Sequence, residues 1–442
     1  GSEMCIRDSS YFDEEGNAWT YNKSTDSYYL HYFSRKQPDL NWENPEVRQE
    51  IFDMMRFWFD KGIDGFRMDS ISLIAKDPSF PLIDSKKYPD IFSFYAKEPR
   101  LHLYLHEMNR QVLSKYDCMS VGEGSAVMVD DVAKFVDPAR EELNMLYHFD
   151  AARIRNTTLP DNPESGIDYS LIALKKMFTE WDKAVDKGWP SIYLGNHDQP
   201  RMVSRFGSDK DEFRALSAKM LITFLLTMKG TPYWFAGDEI GMRNIRFDRI
   251  EDYNDIDTIN RYKKAKAEGK DPQAVLDEQK ETGRDNARTP FQWDRSPEAG
   301  FTAGTPWLKV NPDYTWINVA DEEKDPTSIL NYFKKVVSFR KENLSLIYGS
   351  YHLLDAENPQ SYTFLRKTGA DTYLIMLNFS PKAAISTPGI DMSNAHVLLD
   401  NYGDRSHMAP QKDITLRPFE AIVFQLNHPV YESFIDSLDL LE

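Results

Sequence analysis

Cysteine is nearly missing from this 442-residue chain, which contains only Cys5 and Cys118. Two thiols cannot build a disulfide framework, and no Cys/His cluster has zinc spacing. Cys118 falls in a strand-like run and reads as a small buried hydrophobe. Reducing cytosol, and so a cytoplasmic location, is the default expectation. Long apolar runs are absent too: none reaches the roughly 18 residues that a membrane-crossing helix needs. Positive charge is in deficit, with 53 Lys and Arg against 70 Asp and Glu for a net charge of −17. Nucleic acid and anionic membranes should be repelled, leaving a neutral small molecule as the better-suited ligand. Much of that acidity simply solubilises the surface. There is no internal repeat and no low-complexity tract.

The organisation that is present alternates helix and strand. Residues 1–9 contain Met4-Cys5-Ile6-Arg7-Asp8-Ser9, which resembles translated sequencing-adapter sequence and is set aside as a non-native leader. Residues 10–43, rich in Tyr and Trp, read as the end of an excursion leading back into a larger domain. Asn44-Pro45 is a helix start: a capping side chain followed by proline at the first helical position. Val47, Ile51, Met54, Met55 and Trp58 then recur at helical spacing. Lys61-Gly62-Ile63-Asp64 turns the chain into a strand ending at Asp69. Helical stretches over 101–115, 169–186, 212–228 and 327–342 alternate with strand-like runs over 118–123, 145–149, 192–194 and 232–235. The charged stretch 253–284 reads as a long solvated excursion. That alternation predicts an α/β fold of βα units over 44–347. From 348 to 442 short alternating runs such as Tyr362-Thr363-Phe364-Leu365 lie between Gly, Pro, Asn and Asp. They predict an antiparallel β-sandwich.

Three of the strand-like runs end in an acid: Gly65-Phe66-Arg67-Met68-Asp69, Val121-Gly122-Glu123 and Gly195-Asn196-His197-Asp198. In a (β/α)₈ barrel the strand C-terminal ends share one rim, so acids remote in sequence can meet there. Two carboxyl groups about 5 Å apart, one attacking and one protonating, are what cleavage of a glycosidic bond with retention requires. A bland reading exists for each acid: Asp69 as a structural partner of Arg67, Glu123 as an exposed loop residue.

In that order the three segments look like the fourth-, fifth- and seventh-strand motifs of the α-amylase superfamily. Further matches are Gln37-Pro38-Asp39-Leu40-Asn41-Trp42, Asp198-Gln199-Pro200-Arg201, Gly230-Thr231-Pro232, Gly237-Asp238-Glu239 and Asp285-Asn286-Ala287-Arg288-Thr289-Pro290-Phe291-Gln292-Trp293. Together they resemble the oligo-1,6-glucosidase and α-glucosidase subfamily, which also holds sucrose isomerases. The similarity runs from about Ala18 onward.

The resemblance implies a (β/α)₈ TIM barrel followed by the C-terminal sandwich, and a retaining, exo-acting α-glucosidase acting on short α-glucosides. It makes Asp69 the nucleophile, Glu123 the general acid and then base, and Asp198 the third catalytic acid, which stabilises the transition state by binding sugar hydroxyls more strongly as the ring flattens. Arg67, His197 and Arg288 would contact the bound glucose. Arg201 would brace Asp198 or Glu123, and Asp238 and Glu239 would be structural. Ser70 stands where valine accompanies α-1,6 preference in the subfamily, which tilts the expectation toward α-1,4 or mixed linkage. Asn156 and Thr157 break the Arg- and Asp-rich run of sucrose isomerases. The alternatives are a sucrose isomerase or transglucosidase, or a non-catalytic barrel partner protein, against which the intact acid set argues. No metal ligand or cofactor is expected in this chain. The family's first three strands, its Asp-x-x-x-Asn-His motif and its calcium loop would all precede Ala18. The expectation is therefore an incomplete barrel with unpaired edges and an uncovered core: the full-length parent an enzyme, this chain as it stands poorly folded or inactive.

Overall fold

The computed structural model describes residues 17–84, 86–88, 90–157, 169–369, 371–408 and 411–426. The leader assigned to 1–9 lies outside the described residues. By its internal contacts the chain divides into two compact units. One runs to Phe149 and includes Lys183–Ser191 and Lys263–Lys270; the other comprises Asp150–Asp182, Ile192–Tyr262 and the chain from Asp271 onward.

In the first unit, β1 (Trp19–Asn22) and β2 (Ser27–Leu30) pair as an antiparallel hairpin, Trp19 opposite Leu30 and Asn22 opposite Ser27. Its buried end packs Ala18, Leu30 and Tyr32 against Leu73, Ile91 and Tyr95. The helix Pro45–Asp60 begins as its sequence dictates: the Asn44 side chain accepts from the Glu46 N–H, with proline at the first position. It buries Phe52, Met55 and Phe59. Gly62 then takes φ +95°, a left-handed turn that costs glycine little. The chain enters β3 (Gly65–Met68), against which Phe59 packs edge-on through Phe66, ring centroids 5.0 Å apart.

The helix Arg100–Gln111 leads to β4 (Met119–Glu123). Cys118 falls just outside that strand and is half-buried, its Sγ donating to the Leu113 carbonyl at 3.5 Å. The buried-hydrophobe reading of Cys118 is corrected accordingly. Next comes β5 (Met145–Tyr147), and the three strands form one parallel sheet in the order β3-β4-β5. Parallel neighbours joined through helices are what βα alternation requires.

In the second unit, β6 (Ser191–Ile192, whose Ser191 falls in the first unit) pairs with β7 (Thr231–Pro232), and the Tyr233 N–H donates to the Ile192 carbonyl at 2.8 Å. Both strands are shorter than their apolar runs suggest. Pro232 has no N–H to extend the ladder. The helix Arg214–Thr227 is buried on nearly every side, which explains its lack of a polar face. Its Phe224 meets Phe178 and Tyr362, both at 5.2 Å between centroids.

The C-terminal strands are β8 (Ser350–Leu354), β9 (Ser361–Thr368), β10 (Asp371–Asn378), β11 (Ala384–Ser386), β12 (Ala395–Asp400), β13 (Ile414–Leu416) and β14 (Ala421–Leu426). Five form one antiparallel sheet in the order β12-β14-β10-β9-β8, and β11 pairs with β13. Leu374, Met376, Ile422 and Phe424 of the larger sheet share a core with Ile414 and Leu416 of the smaller one. The two-layer sandwich expected from the alternating runs is present. Two buried guanidinium groups anchor it: Arg340 donates to the carbonyls of Leu226, Met228, Gly230 and Leu346, and Arg366 to those of Thr227, Ser345 and Gly349. Several of these carbonyls close the helices Arg214–Thr227 and Ser345–Tyr348, whose C-terminal ends carry partial negative charge.

Candidate active site

The register of the parallel sheet builds the first cluster. Arg67 lies beside Val121 and Met68 beside Gly122. Continuing one step sets Asp69 beside Glu123, at the roughly 4.8 Å spacing of neighbouring strands. On the other flank Glu123 is in register with Tyr147. The Arg67 guanidinium ties all three together. Its Nη1 donates to Asp69 Oδ1, its Nη2 to Glu123 Oε2 at 2.6 Å, and its Nε to the Tyr147 hydroxyl. Ser70 closes the arrangement by donating its N–H to Glu123 Oε2 at 3.1 Å. To do so it adopts φ +44°, a left-handed conformation that is strained for a residue with a Cβ.

The two acids have different surroundings. The Asp69 side chain is 74% exposed and that of Glu123 only 8%. Burial, then the hydrogen bond shared with Asp69, push the Glu123 carboxyl up; the Ser70 N–H and the Arg67 charge pull it down, leaving it at about 7. Burial opposes the charge of Arg67, but its bonds to Asp69 and Tyr147 and the charge of Glu123 prevail and raise its pKa. An exposed carboxyl thus stands beside a buried one that retains its proton near neutrality, the division that nucleophile and general acid need.

The second cluster follows β6. The Asn196 side chain accepts from the Asp198 N–H at 2.8 Å, fixing the turn. Asp198 Oδ2 is 3.2 Å from His197 Nε2, while Oδ1 accepts from Arg288 Nη2 at 2.7 Å and Arg284 Nη1 at 3.3 Å. Arg288 Nε also holds the His197 carbonyl at 2.8 Å. Burial raises the Asp198 carboxyl, but the His197 hydrogen bond and the charges of His197, Arg284 and Arg288 overcome it and bring it to about 2. The motif glycine is required here: a Cβ on Gly195 would sit 2.7 Å from Asp238 Oδ2.

The structure thus brings together Arg67, Asp69, Ser70 and Glu123 in one unit, and His197, Asp198 and Arg288 in the other. Arg201 is a correction. It does not brace Asp198 but is buried, donating to the Ala236 carbonyl at 2.7 Å and lying 3.7 Å from Asp238. The structural reading of Glu239 fits its Oε2, which accepts from the Gly237 N–H at 2.8 Å and from Trp234 Nε1 at 3.3 Å. Three members escaped the sequence reading: Tyr147, Arg284 and Asp255. Arg284 had only a weak signal, standing immediately before the Asp285–Trp293 segment; Tyr147 lies inside the run 145–149 and carried none, although the observed strand ends at it. Among the described residues no group of three or more His, Cys, Asp or Glu could hold a metal ion.

The alpha-amylase catalytic domain family matches residues 8–349. The chain belongs to this family. It is 48% identical to the oligo-1,6-glucosidase of Parageobacillus thermoglucosidasius over 94% of this chain and 74% of that protein. It is 45% identical to the Bacillus cereus oligo-1,6-glucosidase over 93% of this chain and 74% of the relative. Among solved structures, the isomaltulose synthase from Protaminobacter rubrum superposes with a TM-score of 0.88 at 37% identity, covering 95% of this chain and 75% of the other. The matched span takes in β3 to β7, and the C-terminal antiparallel sheets follow it.

Proposed function

We propose that the protein is a retaining, exo-acting α-glucosidase that hydrolyses α-1,6 and/or α-1,4 linkages of short gluco-oligosaccharides. The observation that carries this reading is the single Arg67 guanidinium bonded to both Asp69 and Glu123. Carboxyls spanned by one guanidinium suit the close pair of a retaining enzyme, not the wider gap of roughly 6.5–9.5 Å that admits an attacking water. An Asp69 oxygen attacks the anomeric carbon as the glycosidic C–O bond breaks, and Glu123 gives its proton to the departing oxygen. Glu123 then takes a proton from water, which attacks the same carbon and releases Asp69. Asp198, His197 and Arg288 bind sugar hydroxyls, and Arg67 holds the nucleophile ionised.

The names of the relatives support hydrolysis over isomerisation. The oligo-1,6-glucosidases reach 48% identity, whereas the trehalulose and isomaltulose synthases stand at 36–37%. Asn156 and Thr157 lack the charge pattern of the isomerases; their side chains lie outside the described residues. Ser70 favours α-1,4 or mixed linkage in this reading.

The test is turnover of p-nitrophenyl α-glucoside, maltose, isomaltose and sucrose, with proton NMR of the first-formed anomer. Glucose released as the α-anomer and lost in Asp69→Ala supports the mechanism. β-Glucose, or activity surviving Asp69→Ala, overturns it; isomaltulose from sucrose would favour the isomerase. Ser70→Val should raise the isomaltose-to-maltose ratio of kcat/KM about tenfold, the scale of one pocket methyl group.

A further inference from the structure

The Asp198 carboxylate is held by a second charge pair that no motif announces. Asp255 is nearly inaccessible, its side chain 2% exposed. Its Oδ2 accepts from the Thr258 N–H at 3.2 Å and hydroxyl at 2.9 Å, and its Oδ1 takes Arg284 Nη2. The backbone around it is fixed as well, because the N–H groups of Asn254 and Asp255 both donate to Asp285 Oδ2, at 2.7 and 2.8 Å. Arg284 is therefore clamped at one end of its fork. The other end reaches Asp198 Oδ1 at 3.3 Å, beside Arg288 Nη2 at 2.7 Å, and Arg288 Nη1 stands 3.9 Å from Asp255. Two carboxylates and two guanidinium groups close a ring of four charges.

We propose that Arg284 and Asp255 are a positioning pair that locks the rotation of the Asp198 carboxylate and leaves it one acceptor direction for a sugar hydroxyl. This rests on the α-glucosidase reading of Asp198. A carboxylate offers about four acceptor positions. Arg284 and Arg288 occupy both on Oδ1, and His197 occupies one on Oδ2. Among the described residues one position remains, on Oδ2. Without the clamped fork of Arg284 the carboxylate could turn about its Cβ–Cγ bond and present either oxygen. The hydroxyl would still bind, but its hydrogen bond would not strengthen in step with the flattening sugar ring. Such a defect falls on the transition state more than on substrate binding.

The experiment compares the protein with Arg284→Lys, which keeps the charge but loses the fork, with Asp255→Asn, and with the double variant. It reads kcat and KM on p-nitrophenyl α-glucoside, inhibition by the cationic iminosugar 1-deoxynojirimycin, and Tm. Each single variant should lower kcat about tenfold or more, with KM changed less than about threefold, and weaken iminosugar binding in parallel. The double variant should fall little below the worse single, since the pair acts through one carboxylate. Folded variants that keep kcat and iminosugar binding within about twofold, whatever their Tm, would overturn the proposal. So would single losses that multiply in the double variant. If the single variants do not fold, Arg284→Gln with Asp255→Asn removes both charges together and carries the same readout. A wild-type protein that turns over no α-glucoside sinks the α-glucosidase reading itself; an active wild type with unaffected variants sinks only the positioning pair.

Discussion

Glu123 shows how one side chain acquires a role from its surroundings. As an isolated carboxyl it would be ionised at neutral pH and unable to protonate a leaving group. Burial and the neighbouring Asp69 carboxyl hold it at about 7 instead. The proton belongs to the coupled pair, so the rate profile reports the pair's second ionisation. The active form has Asp69 ionised and Glu123 protonated. Activity should therefore fall as pH rises through about 7, where Glu123 loses its proton. The measurement is kcat/KM for p-nitrophenyl α-glucoside against pH, whose alkaline limb should lie near 7. In Glu123→Gln that limb should vanish, with the remaining rate at least about a hundredfold lower. A limb unmoved in the variant would assign it to another group. The strained Ser70 backbone adds a second residue-scale expectation. Glycine there keeps the N–H donated to Glu123 and relieves the left-handed strain, so Ser70→Gly should leave the alkaline limb in place.

At the scale of elements, the sequence was most legible where local chemistry decides. Asn44 and Pro45 announced a helix, and it begins there. The apolar-to-acid runs announced strands, and β3 and β4 deliver Asp69 and Glu123 side by side. The second cluster was half legible. His197, Asp198 and Arg288 sit in motifs, whereas Asp255 comes from a charged stretch that reads as mere excursion until Arg284 is seen to reach it. Tyr147 was hidden because its place depends on register with Glu123, which periodicity along one strand does not encode. Arg201 was misassigned for the same reason, since burial beside Asp238 depends on tertiary packing. Register also yields a prediction. A Cβ at Gly65 would run into the Met119 carbonyl oxygen, a backbone atom that cannot swing aside. Gly65→Ala should force β3 and β4 apart, costing on the order of 1–3 kcal/mol or more and loosening the Asp69–Glu123 pair. Urea unfolding checks the first effect; kcat in the folded fraction checks the second, and full activity would show that the sheet adapts.

Across the whole molecule, burial rather than pairing sets the titration of several acids. Besides Glu123, burial raises Asp238 to about 7 despite Arg201, and Glu322 to about 7 despite the Leu330 N–H and Arg214. A carboxyl whose folded pKa exceeds its unfolded value binds more protons in the fold, so stability falls with rising pH between the two values. The stability these groups contribute is fully present below about pH 4, near the unfolded values of Asp and Glu. It is lost as pH rises through about 7. Asp198 works oppositely: held at about 2, it contributes stability that is lost only in strong acid. The balance places the maximum on the mildly acidic side of neutrality, so Tm should be higher at about pH 5.5 than at about pH 7.5. Asp238→Asn and Glu322→Gln keep the shape of each side chain and remove its titration. Together they should flatten that slope without moving the alkaline limb of the rate, which belongs to Glu123. A slope unchanged in the double variant would mean that these two acids are paired well enough to stay ionised, and that the buried arginines Arg201 and Arg214 carry their charge.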